Sequence, residues 1–300
     1  MEELDTIQKA VSVLPLRLRR QVLELPVVFL SNMEEVRLHV GRSMSILADG
    51  EELELTGSPV TGMELEQLLE LASGASLHTV LTQLRQGFIT IEGGHRLGLC
   101  GRVVMRDGEL VNLRPLSSAV LRIARQVRGA ADPVMGQLCP EGVLVNTLIL
   151  APPGAGKTTL LRDVIRRVSD GRGCRPQRVA LADERGEVAA LWNGVPQLDV
   201  GRRTDVLEGC SKAQGLMMML RAMGPQVLAV DEITAQEDVE AMMAAVGCGV
   251  TLLATAHGQD KLDLERRNLY RPLLQEHIFK RLVYIEGGKG DRSYRVEVLE

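Results

Sequence analysis

Aromatic side chains are scarce: one Trp, three Tyr and three Phe make up 2% of the 300 residues. With a net charge of −4, the chain lacks both the stacking platforms and the overall positive field of a protein that holds single-stranded nucleic acid, so nucleic acid is disfavoured as a partner. The five cysteines, Cys100, Cys139, Cys174, Cys210 and Cys248, are odd in number, widely spaced and without a CxxC pair. That argues for reduced thiols in a cytoplasmic setting rather than disulfides, and it leaves no zinc module. No apolar run approaches the roughly 20 residues that cross a bilayer, and Met1-Glu2-Glu3-Leu4-Asp5 is acidic where a signal peptide is basic. The expectation is a soluble protein, or one held peripherally at a membrane. Internal repeats and low-complexity tracts are also missing. What is present is an apolar share of 45% over a length that suits two domains, enough to bury a real core.

Ile7, Val11, Leu14, Leu18 and Val22 recur at spacings of three and four, an amphipathic helical pattern interrupted by Pro15. The basic group Arg17, Arg19 and Arg20 on it reads as a solvated face. Glu35 to Val40 alternates as a half-buried strand and ends at Gly41; Ser45-Ile46-Leu47 starts another, closed by Asp49-Gly50. A helix is expected from about Met63 to Ala72. Gly87 to Glu92, His95 to Met105 and Glu109 to Leu113, separated by Gly93-Gly94 and Arg106-Asp107-Gly108, read as a three-stranded antiparallel meander. Residues 1–128 thus form a small α+β domain. Gly129-Ala130-Ala131-Asp132-Pro133 and Cys139-Pro140-Glu141-Gly142 mix breakers with small residues, which marks 129–142 as a linker. From 143 to 300, short apolar runs bounded by turns alternate with helical patterns. That is the pattern of an α/β domain with a mainly parallel sheet.

The first of those runs, Leu148-Ile149-Leu150, continues into Ala151-Pro152-Pro153-Gly154-Ala155-Gly156-Lys157-Thr158-Thr159. Strand, glycine-rich turn and helix together read as a phosphate-binding loop formed by Pro153, Gly154, Ala155, Gly156, Lys157, Thr158 and Thr159. Its backbone N–H groups can wrap a β-phosphate, Lys157 can reach the β/γ oxygens and the Thr158 hydroxyl can ligate Mg²⁺. ATP and Mg²⁺ are therefore the expected ligands. Ala151 stands where the general pattern has glycine, a change that is tolerated if the residue has ordinary backbone angles.

Ligands of open parallel sheets sit at the carboxyl ends of the strands. After Leu228-Ala229-Val230 come Asp231, suited to the metal, and Glu232, suited to polarise the attacking water. The run Val179 to Ala182 delivers Asp183 and Glu184, a second acidic pair that can approach the γ-phosphate side. Val250 to Ala254 delivers Thr255-Ala256-His257, with an imidazole placed as a phosphate sensor, although lone histidines more often serve as structural hydrogen-bond partners. Positive charge on the transferred phosphoryl group can come from another domain or subunit. Arg96, Arg102, Arg122 and Arg125, in or after the meander, are the candidates.

These residues carry a resemblance that covers nearly the whole chain. Glu35 to Leu38, Gly87 to Gly98, Pro153 to Asp163, Asp183 to Glu187, Gly201 to Leu207, Asp231-Glu232-Ile233 and Ala254 to Gly258 resemble, in that order, the stage III sporulation AA family. That family lies within the secretion-superfamily ATPases of type II and type IV secretion and pilus motors. The resemblance implies a RecA-like core under a closing N-terminal domain, a homo-hexameric ring, and N-domain arginines that approach the phosphates. It implies work in the mother-cell cytoplasm, with membrane proteins of a sporulation transport complex as partners. Thr234 stands where such relatives are expected to have glycine. Two other readings of the same residues are a RecA-type nucleic-acid translocase and a nucleotide-gated scaffold without turnover; the full set Lys157, Thr158, Asp231 and Glu232 argues against the scaffold.

Overall fold

The computed structural model describes residues 2–74, 83–84, 87–288 and 291–299. The chain divides into two compact units, Met1–Arg125 with Ala190–Gln197, and Gln126–Ala189 with Leu198–Glu300.

Unit 1 begins with α1 (Glu2–Val11), α2 (Leu16–Leu23) and α3 (Val27–Asn32). The amphipathic pattern of the first 25 residues is one stripe on two helices, because Pro15 has no N–H to continue α1 and instead stands at the N-cap of α2. The basic group here is partly structural: Arg17 pairs with Glu64 at 2.7 Å, and Arg19 donates to the carbonyls of Val11 and Leu14 at 3.2 and 3.1 Å. Strands β1 (Met33–His39), β2 (Ser45–Ala48) and β3 (Glu51–Glu54), helix α4 (Gly62–Ala72), then β4 (Phe88–Thr90), β5 (Arg96–Arg106) and β6 (Glu109–Arg122) complete the main body. The sheet order is β3-β2-β1-β6-β5-β4, antiparallel throughout.

Asp49-Gly50 and Asp107-Gly108 both adopt positive φ, as two-residue hairpin turns require. Asp49-Gly50 does not end the sheet; it turns the chain into β3, whose residues are all exposed and so carry no alternation to read. The last strand of the meander runs nine residues past Leu113 and lies beside β1, pairing Ser118 to Arg122 with His39 to Glu35. Pro115 hides this in the sequence; register shifts around Gly101, across from it, accommodate the missing donor. The core gathers Ile7, Leu14 and Leu18 from the helices, Leu65 and Leu68 from α4, and Val36, Leu38, Ile89, Leu97 and Leu121 from the sheet.

Unit 2 contains the short α5 (Met135–Leu138), β7 (Thr147–Ala151), α6 (Lys157–Asp170) and β8 (Val179–Asp183). The chain next forms a small hairpin, β9 (Leu191–Trp192) and β10 (Val195–Pro196), which groups with unit 1. Back in unit 2 follow β11 (Thr204–Glu208), α7 (Lys212–Ala222), β12 (Val227–Val230), α8 (Gln236–Gly247), β13 (Thr251–His257), α9 (Lys261–Arg266), α10 (Arg271–Gln275), β14 (Arg281–Glu286) and β15 (Ser293–Val298). The sheet order is β11-β8-β12-β13-β7-β14-β15, parallel except for β15, which runs antiparallel to β14.

The four apolar runs are the four central strands β8, β12, β13 and β7. Their middles are apolar on both sides because both faces are covered, and the polar residues stand mainly at their ends. Ile149, Leu181 and Ala229 face one core with Leu160, Leu161, Val164 and Ile165 of α6. Leu148, Ala180 and Leu228 face the other with Leu216 of α7 and Val239 and Met242 of α8. The peripheral strands β11 and β15 are only half-buried, which is why no continuous apolar run announced them. Among the described residues, no helix is long and apolar enough to cross a membrane.

Candidate nucleotide site

Four adjacent strands, β8-β12-β13-β7, end side by side. At the end of β7, Ala151 is the last strand residue, paired with His257 and buried. It lies in extended backbone, so the methyl group costs the loop nothing and packs into the core with α6. Gly154 and Gly156 take φ of 74° and 101°, conformations that side chains resist. Gly156 is also the N-cap of α6 and has no side chain to occupy the first N–H groups of the helix. Those donors and the positive end of a 14-residue helix face the loop.

Lys157 is buried, and its Nζ donates to the carbonyls of Ala151 and Pro152, both at 3.0 Å. Its third contact is His257 Nδ1 at 2.7 Å. An ammonium can only donate, so Nδ1 accepts, and the ring proton sits on Nε2, which meets Glu232 Oε1 at 2.9 Å. Lys157, His257 and Glu232 thus form one relay across the ends of three strands. Burial pushes the Lys157 pKa down, against the opposing pull of Glu232 and Asp231.

Asp231 accepts from Thr158 Oγ1 through Oδ2 and from Thr255 Oγ1 through Oδ1, each at 2.8 Å. Burial raises its pKa, and the two hydroxyl donors counter that rise. Glu232 has a left-handed backbone, φ 56°, an uncommon state for a side chain of this size, held by its N–H donating to Thr255 Oγ1 at 2.8 Å. The strain therefore falls on Glu232, not on Thr234, where glycine was expected. Thr234 and Ala235 donate their N–H groups to Asp238 Oδ2 at 3.1 and 3.0 Å, which fastens the exit from β12.

The β8 end works differently. Asp183 is buried and accepts backbone N–H bonds from Glu187, Val188 and Ala189 at 2.8–3.2 Å. Arg162, on α6, donates to the carbonyls of Val188 and Glu187 at 2.5 and 2.7 Å. An acid and a base thus hold the same turn from both polarities. Burial raises the Asp183 pKa and lowers that of Arg162. Glu184 points elsewhere and pairs with the buried ammonium of Lys212.

Of the candidates in the sequence, the phosphate loop, Asp183, Glu184, Asp231, Glu232 and His257 all lie in unit 2 at these strand ends. Arg96, Arg102, Arg122 and Arg125 lie in unit 1. There Arg96 covers the Phe88 ring at 4.0 Å, Arg122 pairs with Glu35 at 2.9 Å, Arg125 donates to the Met33 carbonyl at 3.0 Å, and Arg102 is exposed. Sequence reasoning passed over Thr255, Arg162, Lys212 and Arg292. The Arg292 guanidinium carbon lies 3.0 Å from where a Cβ on Gly156 would stand. The strand-end position of Thr255 was the one signal available; the others depend on contacts across long stretches of chain.

The family model described as sporulation stage III, protein AA matches residues 4–295. The chain belongs to that family. A sporulation stage III AA relative, the Stage III sporulation protein AA of Bacillus subtilis (strain 168), is 39% identical over 279 residues, spanning 93% of this chain and 90% of its own. Among solved structures, the pilus retraction motor PilT with bound ADP aligns over 89% of this chain and 79% of its own, with TM-score 0.60 and 17% identity. The Legionella pneumophila ATPase DotB aligns over 88% and 76%, with TM-score 0.57 and 16% identity. At such identities the likeness is one of fold. The sporulation stage III AA chain thus shares an α/β fold with these two proteins, and its own sheets are an antiparallel N-terminal one and a mostly parallel second one.

Proposed function

We propose that this chain is a Mg²⁺-dependent ATPase, a motor of the secretion superfamily that works as a homo-hexamer in the mother-cell cytoplasm. With membrane proteins of a sporulation transport complex, it would energise a channel between mother cell and forespore. The observation that carries the ATPase reading is the convergence of Lys157, Thr158, Asp231, Glu232 and His257, all hydrogen-bonded to one another or to the loop, at the carboxyl ends of a parallel sheet. Family membership and the motor and ATPase named in the similar folds support the rest.

The residues fit the metal. Thr158 Oγ1 and Asp231 Oδ2, 2.8 Å apart, are the hard oxygen donors that Mg²⁺ takes beside phosphate, and a site of this kind needs no cage of carboxylates. Bound Mg²⁺ would neutralise charge on the β- and γ-phosphate oxygens. Loop amides and Lys157 hold those phosphates. Water attacks the γ-phosphorus, its proton passes to Glu232, and the bond to the β–γ bridging oxygen breaks to leave ADP and inorganic phosphate. Glu184 assists in orienting the water, Asp183 holds the turn beside it, and His257 senses the γ-phosphate. Arginine from the set Arg96, Arg102, Arg122 and Arg125, in the same or a neighbouring chain, completes the charge.

The test is steady-state hydrolysis with Mg²⁺ for wild type and Lys157→Ala across protein concentration, with light scattering to follow assembly. Turnover that vanishes in the variant and rises per subunit as a ring forms is the expected result. Binding without turnover in every assembled state would leave a nucleotide-gated scaffold. Salt-sensitive stimulation by polynucleotide would point to a translocase.

A further inference from the structure

Lys212 occupies an unfavourable place for a lysine. Its side chain is 6% exposed, so the ammonium is withdrawn from water, which is costly unless it is paired. It is also the first residue of α7, directly after the N-cap Ser211, where the helix dipole repels a cation. The first turn of α7 contains no acidic residue to offset either cost. Its ion-pair partner is Glu184, whose side chain is 37% exposed. A methionine would fill the same space with neither penalty, so packing gives no account of the charge.

The position of the pair does give one. β11, β8 and β12 are neighbours in the sheet. The chain leaves the carboxyl end of β11 into Lys212, the end of β8 into Glu184, and the end of β12 into Asp231 and Glu232. Lys212, Glu184, Asp231, Glu232 and Thr234 line one small cleft. Lys212 Nζ donates to Glu184 Oε2, and Oε1 makes no hydrogen bond among the described residues. One carboxylate oxygen is fixed from the protein side while the other remains able to accept from a water.

We propose that Lys212 is a positioning residue: it pins Glu184 Oε2 so that Oε1 orients the attacking water for Glu232. The inference rests on the nucleotide-hydrolysis reading above and supplies a component that the sequence did not suggest. The site then has a cation of its own unit on the water side, in addition to any arginine from elsewhere. Holding a carboxylate to one orientation is the kind of restriction that positioned groups turn into rate.

The test compares wild type, Lys212→Met, Lys212→Arg, Glu184→Gln and the Lys212→Met/Glu184→Gln double variant. Three quantities are read: single-turnover rate, affinity for Mg²⁺-ATP, and backbone hydrogen exchange at residues 184–187 without nucleotide. Lys212→Met is expected to slow turnover about 10- to 100-fold, leave affinity within about twofold, and speed exchange at those residues; Lys212→Arg restores most of the rate. In the Glu184→Gln background, Lys212→Met costs nothing further. An unchanged rate in Lys212→Met, additive losses in the double variant, or affinity falling in step with rate in both lysine variants would overturn the inference while the ATPase reading stands. A wild type that neither binds nor hydrolyses ATP overturns both.

Discussion

Among the described residues, the buried charged side chains of the two units divide unequally. Lys157, Arg162, Asp163, Arg166, Asp183, Lys212 and Asp238 all belong to unit 2, whereas the buried polar residues of unit 1 are Ser73, Thr90 and His95. Unit 1 sets its ion pairs, such as Arg17–Glu64 and Arg122–Glu35, on arginines that stay partly in water, so that neither cation is fully withdrawn from solvent. Unit 2 withdraws charge from water and then matches it: Asp163 with Arg166 at 2.6 Å, Asp183 with three backbone N–H groups, Lys212 with Glu184. A parallel sheet covered on both faces offers few surfaces for polar groups except at its strand ends. The charges that survive there either build the site or hold its loops. The comparison separates a unit stabilised by packing from one that carries preorganised charge.

The sharpest way to break the comparison is at Glu232. Replacing it by Gln keeps the shape and removes the base, so turnover is expected to fall about 10²- to 10⁴-fold with ATP binding retained. Full turnover in Glu232→Gln would remove chemistry from the account of buried charge in unit 2. Asp183 is the counter-case. Asp183→Ala deprives three N–H groups of their acceptor and Arg162 of the carboxylate that most favours its charge, and should destabilise unit 2 by about 3 kcal/mol in urea denaturation followed by circular dichroism. Lost turnover with unchanged stability would instead move Asp183 from loop support into the reaction.

The two units should also respond oppositely to acid. Burial pushes His95 of unit 1 from 6.5 down to about 4, and its Nδ1 accepts the Ala124 N–H at 3.0 Å, a bond that protonation would abolish. The unfolded chain therefore binds a proton that the folded unit refuses between those values. The contribution of neutral His95 is whole above pH 6.5 and is lost as pH falls toward 4, at about 1.4 kcal/mol per pH unit, roughly 3 kcal/mol in all. Asp183 and Asp231 are raised by burial, so for them acid acts in the stabilising direction. The chain's single tryptophan, Trp192, is grouped with unit 1 and supplies a fluorescence signal from it. Melting followed by Trp192 fluorescence should lose stability from pH 6.5 to 4, and His95→Asn should flatten that slope; an unaltered slope would place the acid sensitivity elsewhere.

Much of the frame was legible in the sequence, for reasons that differ between the units. In unit 2, both faces of β7, β8, β12 and β13 are buried, so the strands announce themselves as short apolar runs, and the residues after each run are the candidates that the sheet brings side by side. In unit 1, the Asp49-Gly50 and Asp107-Gly108 turns were visible because positive φ restricts residue choice. What stayed hidden has physical causes. β3 is exposed on every residue, β11 and β15 are half-buried, and Pro115 masks the long return of β6. Within the site, Lys212 and Glu184 are 28 residues apart and Thr158 and Asp231 are 73 apart, so their pairing is a product of strand order rather than local pattern.

Helix caps give the smallest test of the comparison. In unit 1, Thr61 caps α4 with a reciprocal box: its hydroxyl accepts the Glu64 N–H at 3.2 Å while Glu64 Oε2 accepts the Thr61 N–H at 2.9 Å. The same Glu64 holds Arg17 of α2, so the box ties two helices. In unit 2, Ser211 caps α7 through one long bond, 3.4 Å from Gln214 N, and the next residue is the buried Lys212. If unit 1 relies on local packing and unit 2 on its charges, Thr61→Ala should cost about 1 kcal/mol and leave ATP turnover untouched. Ser211→Ala should cost only a few tenths of a kcal/mol yet slow turnover measurably through Lys212. Equal stability losses with equal turnover would mean that the start of α7 is no more than a helix end, and that the contrast between the units stops short of it.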